Sequence, residues 1–179
     1  LIYGVSISLD GTRIASSSED GTVQIFYLDG DGSALTLDLK DDAIFSVAFS
    51  PEGMVLATGG HDGSLRLWDA ATGDPLVIFP DHPYWVMSVA FSPDGSRIAA
   101  ACGDSSIHIW QNPLVGATAS PGGNGTITRI SLAPDGNTLV ATGSHGVLLY
   151  DTGDLSQPPR SFGSYEGESL GAAYSPDGR

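Results

Sequence analysis

Short apolar runs of about five residues alternate with polar, glycine-rich turns along the whole chain. In the stretch from residue 41 to 80 the runs are Ile44–Phe49, Val55–Gly59, Leu65–Trp68 and Leu76–Phe79. Runs of this length, rich in Val, Ile and aromatic residues, predict strands rather than helices. Pro51-Glu52-Gly53 and His61-Asp62-Gly63 supply the turns between them. Proline presets φ for the first turn, and Asp-Gly tolerates the positive φ that a tight hairpin needs. Strands that follow one another so closely leave no room for crossover helices, so a parallel βαβ sheet is excluded. The pattern predicts four antiparallel strands.

The same pattern recurs. Ser8-Leu9-Asp10-Gly11, Ser50-Pro51-Glu52-Gly53, Ser92-Pro93-Asp94-Gly95, Ala133-Pro134-Asp135-Gly136 and Ser175-Pro176-Asp177-Gly178 place their glycines 42, 42, 41 and 42 residues apart. Asp20, Asp62 and Asp104 keep the same step, as do Phe26, Trp68 and Trp110, followed by Tyr150. Three markers in phase define units of about 1–40, 41–80, 81–122 and 123–164, with the opening strand of a fifth within 165–179. A period of this length marks a repeat architecture. Val47-Ala48-Phe49 and Val89-Ala90-Phe91 scarcely alternate, so the first strands are expected to be apolar on both faces. Sheets buried on both sides fit blades stacked around an axis better than a two-sheet sandwich. The fold class expected is an all-β propeller of about four blades, as an open arc.

Ser46-Val47-Ala48-Phe49-Ser50-Pro51, His61-Asp62-Gly63-Ser64-Leu65-Arg66-Leu67-Trp68-Asp69 and Ser88-Val89-Ala90-Phe91-Ser92-Pro93-Asp94-Gly95 resemble the tryptophan–aspartate (WD) repeat family of β-propellers. Periplasmic translocation-type propellers also repeat Ser-Pro-Asp-Gly, but the Leu-Arg-Leu-Trp-Asp ending favours the WD family. The second and third units match best. In the family a His before the first strand, a hydroxyl in the second, an Asp in the hairpin and the Trp of the third often join in one hydrogen-bonded chain, since a buried indole N–H or carboxylate must be paired. The resemblance assigns these roles to Lys40, Thr58, Asp62 and Trp68 in the second unit, and to His82, Ala100, Asp104 and Trp110 in the third. The first unit has Ser16, Asp20 and Phe26; the fourth has Gly123 and Tyr150. No unit carries the full set. Modest blade stability is therefore expected, with the second and third blades strongest. The fourth hairpin, around Ser144-His145-Gly146, reads about two residues shorter.

Composition removes most other chemistries. Of 179 residues 24 are Gly and 11 Pro, while 41% are apolar: too many turn residues for a helical bundle, yet enough apolar ones for a core. Seven Lys and Arg face 21 Asp and Glu, a net charge of −14. So few cations disfavour nucleic acid and anionic membrane surfaces. The acidity reads as solubility or salt adaptation, with a basic partner as the other possibility. No apolar run spans a membrane and no signal peptide precedes Ser8, so a cytoplasmic location is expected, for a chain that is a piece of a longer protein. Cys102 has no disulfide partner in the chain and reads as a small buried hydrophobe.

The four histidines are spread over three repeats and share no spacing with a Ser nucleophile, and Lys40 is the sole lysine, so neither a triad nor a phosphate loop is expected. Asp29-Gly30-Asp31-Gly32-Ser33 starts like a calcium loop but puts Lys40 where the distal Glu belongs. It reads as a strand-joining turn, and no metal or cofactor is expected. Ser120-Pro121-Gly122-Gly123-Asn124-Gly125 reads as an interblade loop. Binding residues follow from the resemblance, because the family gathers first-strand starts and the hairpins after the second strand on one face. There lie Phe45, Tyr84, Trp85, Met87 and Thr128, with Glu19, His61 and Gly103 before the hairpin aspartates. Aromatic residues dominate interaction hot spots, although Trp85 could instead pack against a neighbouring blade. The function expected is a non-enzymatic scaffold for protein or peptide partners, with further blades on both sides in the native chain. The alternative is a propeller segment of an enzyme or secreted protein holding a small ligand or ion in its channel.

Overall fold

A computed structural model describes residues 1–30, 32–40, 43–79, 83–112, 117–119, 127–144, 146–152, 159–162 and 171–174. Among these the chain is all-β, with no helix, and forms four antiparallel sheets of four strands. The first sheet comprises β1 (Ile2–Ile7), β2 (Arg13–Ser18), β3 (Thr22–Tyr27) and β4 (Ala34–Asp38); the second β5 (Ile44–Phe49), β6 (Val55–Gly60), β7 (Leu65–Asp69) and β8 (Pro75–Ile78). The third holds β9 (Val86–Phe91), β10 (Arg97–Cys102), β11 (Ile107–Gln111) and β12 (Ala117–Ala119); the fourth β13 (Ile127–Leu132), β14 (Thr138–Gly143), β15 (Gly146–Asp151) and β16 (Arg160–Phe162). Within every sheet the strands stand in chain order. This is the up-and-down arrangement that consecutive hairpins dictate. Two compact units divide the chain inside β9, at Val89.

In the first unit, Ala15, Val23, Ile25 and Leu37 of the first sheet pack on Ile44, Val47, Phe49 and Leu56 of the second. Each large side chain so buried contributes on the order of 1.5–3 kcal/mol. Polar ties fix the stacking. The Phe49 amide donates to Ser6 Oγ at 3.1 Å, and the Val89 amide donates to Ser46 Oγ at the same distance. Arg13 donates from Nη2 to the Gly53 carbonyl at 2.7 Å while its guanidinium lies over the Phe49 ring. Gly59 is needed for the close approach: a Cβ there would meet the Val86 side chain. In the second unit, Ala99, Ala101, Ile107 and Ile109 pack on Ile127, Ile130, Leu132 and Leu139. Arg97 donates from Nη1 to Thr152 Oγ1 at 2.9 Å.

The turns close as their residues require. In the second sheet four residues separate β6 from β7; in the fourth, β14 ends at Gly143 and β15 begins at Gly146, paired directly with it. Residues 171–174, where the opening strand of a fifth unit is expected, carry no regular secondary structure. A strand needs a ladder partner, and none of the described residues pairs with them; the rest of 165–179 lies outside the described residues. The same holds for His82, His145, Asp31 and the 120–125 loop.

Candidate functional site

Three sheets begin with the same irregularity. Ile2 pairs with Ser18 and Gly4 with Ser17, leaving Tyr3 unmatched. Likewise Phe45 falls between the Ile44–Gly60 and Ser46–Gly59 pairs, and Thr128 between Ile127–Gly143 and Arg129–Thr142. A bulge of this kind re-aims the extra side chain. In the first two sheets the hairpin after the second strand is tied to the start of the first: the His61 amide donates to the Ala43 carbonyl at 2.9 Å, and the Glu19 amide to the Leu1 carbonyl at 2.8 Å.

The outcome in the first unit is a cluster of rings. Tyr3 and Phe45 meet edge to face at 5.4 Å between centroids. Phe45 lies 6.0 Å from Trp85 and 6.2 Å from His61. His61 stacks on Trp85 at 4.7 Å with the planes 27° apart. Pairs in this range contribute roughly 0.5–1.5 kcal/mol each beyond their buried area. Trp85 nevertheless keeps 49% of its surface open and Tyr84, outside the cluster, 55%. So the rings are fixed by one another while Trp85 still faces water. Met87, on β9, is half-buried and brings no ring; Glu19 is exposed, its carboxylate 3.3 Å from the Leu1 amino group. Of the residues expected on this face, the structure brings Phe45, His61 and Trp85 together. Tyr3 was missed, although it lies one period before Phe45.

The polar set behind this face is arranged differently from the family chain. Trp68 Nε1 donates to Thr58 Oγ1 at 2.9 Å, but Asp62 turns away: its carboxylate accepts from the Ser64 amide and hydroxyl and pairs with Arg66 at 2.7 Å. Asp62 and Asp104 lie exposed in their hairpins and are not buried beside the indoles. With Lys40 where the histidine would stand, no imidazole draws Asp62 inward, and Arg66 at i+4 reaches it from β7. In the third sheet Asp104 accepts from the Ser106 amide and hydroxyl, and Ser106 Oγ lies 3.0 Å from His108 Nε2. His108 stacks on the buried Trp110 at 5.7 Å. Partial desolvation within the hairpin works against the charge on Asp104, but the Ser106 bonds and His108 hold its pKa below the ordinary value. Burial pushes the His108 pKa down, opposed by Asp104. In the first sheet Asp20 binds the Thr22 amide and hydroxyl; Ser16 is half-buried, and Phe26 has no N–H to offer it.

The aspartate bonds close hairpins, while the Trp68–Thr58 bond ties β7 to β6. Burial drives the Cys102 thiol up to about 11, which makes it a poor nucleophile. Among the described residues no group of three or more His, Cys, Asp or Glu could hold a metal ion.

A family comparison agrees with the repeat: the WD domain, G-beta repeat, fits residues 2–26, 34–69 and 73–111, more than half of the chain. The chain belongs to the WD-repeat family. A comparison with curated proteins found no match. WD repeats generally mediate protein–protein interaction and are typically non-catalytic. The WD repeats of the first unit thus carry an aromatic face built from bulged strand starts and one hairpin.

Proposed function

We propose that this chain is a non-catalytic WD-repeat scaffold whose partner-binding face is the ring cluster of Tyr3, Phe45, His61 and Trp85. The observation that carries the reading is the half-open Trp85, held in place by two rings rather than buried by them. A rigid aromatic side chain loses little entropy on binding, which is why such residues dominate interface energetics. Tyr84, Met87 and Glu19 extend the face as neighbours in sequence or register. A cytoplasmic site of action goes with this reading. The outer face of β1, with Val5 and Ile7 both about 60% exposed, is assigned to a further repeat that packs there as β5 packs on the first sheet.

The test is quantitative affinity capture with the wild-type chain, a Tyr84→Ala/Trp85→Ala variant, and Leu76→Ala as an exposed control on another strand. The partner set is expected to be lost in the double variant and kept in the control, with unchanged circular dichroism. Identical partner sets in all three would refute the assignment.

A further inference from the structure

Resting on that reading, we propose that the ring cluster takes the guanidinium group of an arginine in a basic peptide segment. Three observations converge on this chemistry. First, the Tyr3, Phe45 and Trp85 rings follow one another at 5.4 and 6.0 Å, and the face of an aromatic ring attracts a cation, most strongly for tryptophan. Second, His61 lies plane to plane with Trp85, 4.7 Å away, and fixes one face of the indole, while 49% of Trp85 stays exposed for a flat group to stack on. Guanidinium has that shape and ammonium does not. Third, charge selects the sign of the guest: the chain carries −14 overall. An acidic surface raises the local concentration of basic segments and repels acidic ones.

The site is read by titrating the whole chain, labelled with nitrogen-15, with a glycine–serine peptide carrying two arginines. The signals of the three tryptophan indoles report position, because Trp68 is bonded to Thr58 and Trp110 is 5% exposed. The Trp85 signal, assigned by its loss in Trp85→Phe, is expected to shift and saturate while the other two stay. A peptide with citrulline in place of arginine, equal in shape but neutral, is expected to bind at least tenfold more weakly. Phe45→Ala is expected to weaken the arginine peptide similarly, with the other indole signals unmoved as proof of folding. Equal binding of citrulline and arginine peptides, or a titration that leaves the Trp85 signal in place, overturns the proposal. If partners are lost in Tyr84→Ala/Trp85→Ala yet citrulline and arginine bind alike, the interaction face stands and only its preference for a cation falls.

Discussion

The first and second sheets share strand order and, over their first three strands, register, yet they bury different things. Val47 and Phe49 on β5 are 6% and 8% exposed, because the first sheet covers them. Their counterparts one period earlier on β1, Val5 and Ile7, are 62% and 60% exposed. The third strands differ in the same direction: Trp68 is bonded to Thr58, while Phe26 is 36% exposed beside a serine it cannot bond. A single repeat therefore supplies strands and turns but not its own core. The remainder comes from the neighbouring sheet, as expected for stacked repeats.

The comparison breaks most directly at Phe49 and Ile7. Phe49→Ala removes a ring packed between sheets and beneath the Arg13 guanidinium, and is expected to cost about 3–5 kcal/mol. Ile7→Ala, at the same register on the open face, is expected to stay within about 0.5 kcal/mol. Urea denaturation of the two variants measures both. Equal losses would mean that Ile7 is covered in solution.

A smaller effect separates the third strands. Trp68→Phe leaves the Thr58 hydroxyl, 1% exposed, without its donor and is expected to cost about 1–3 kcal/mol. The reverse change, Phe26→Trp, gives the half-buried Ser16 an indole N–H and is expected to add about 0.5–1.5 kcal/mol. Together they would bring the two sheets closer in stability. If Phe26→Trp adds nothing while Trp68→Phe costs its full amount, the difference lies in packing and not in the hydroxyl–indole bond.

Much of this was legible in the repeat. The Asp-Gly and Pro-Asp-Gly signals fixed where chains turn, so Ile44–Phe49 was read with both ends right and the other strands of that unit within one residue. The aromatic face was half legible. Phe45, His61 and Trp85 were placed on one face by the family resemblance, but the bulges at Tyr3 and Phe45 leave no mark in composition, since they arise from how two strands pair. Tyr3 could have been found by stepping one period back from Phe45. The hairpin carboxylates were misplaced for an identifiable reason. A family chain ending in aspartate predicts a buried group, whereas Arg66 four residues beyond Asp62 and the hydroxyls two residues beyond Asp62 and Asp104 offer nearer partners. Ser105 was not anticipated either: it adopts φ +71° where Gly21 and Gly63 stand in the other hairpins.

The smallest expected effect lies in the first turn, where the carboxylate of the second sheet stands on a side chain one methylene longer. Asp10 accepts from the Ser8 hydroxyl at 2.5 Å and from the Thr12 amide at 3.0 Å, and these bonds, the serine's first, lower its pKa from 3.8 to about 2. Glu52 takes the equivalent place in the second sheet, where the turn is held by the Val55 amide donating to Ser50 Oγ at 3.1 Å. The unfolded chain takes up a proton at Asp10 near pH 3.8, before the folded chain does near pH 2. The contribution is therefore complete above that window and is lost as pH falls through it. Asp10→Asn is expected to flatten the fall in urea midpoint between pH 5 and pH 2.5, and Glu52→Asp, which shortens the side chain to turn length, to steepen it. Because Asp10 is exposed, both changes should be slight and reduced by salt. A slope that Asp10→Asn leaves unaltered would place the acid sensitivity of the first unit elsewhere than in its first turn.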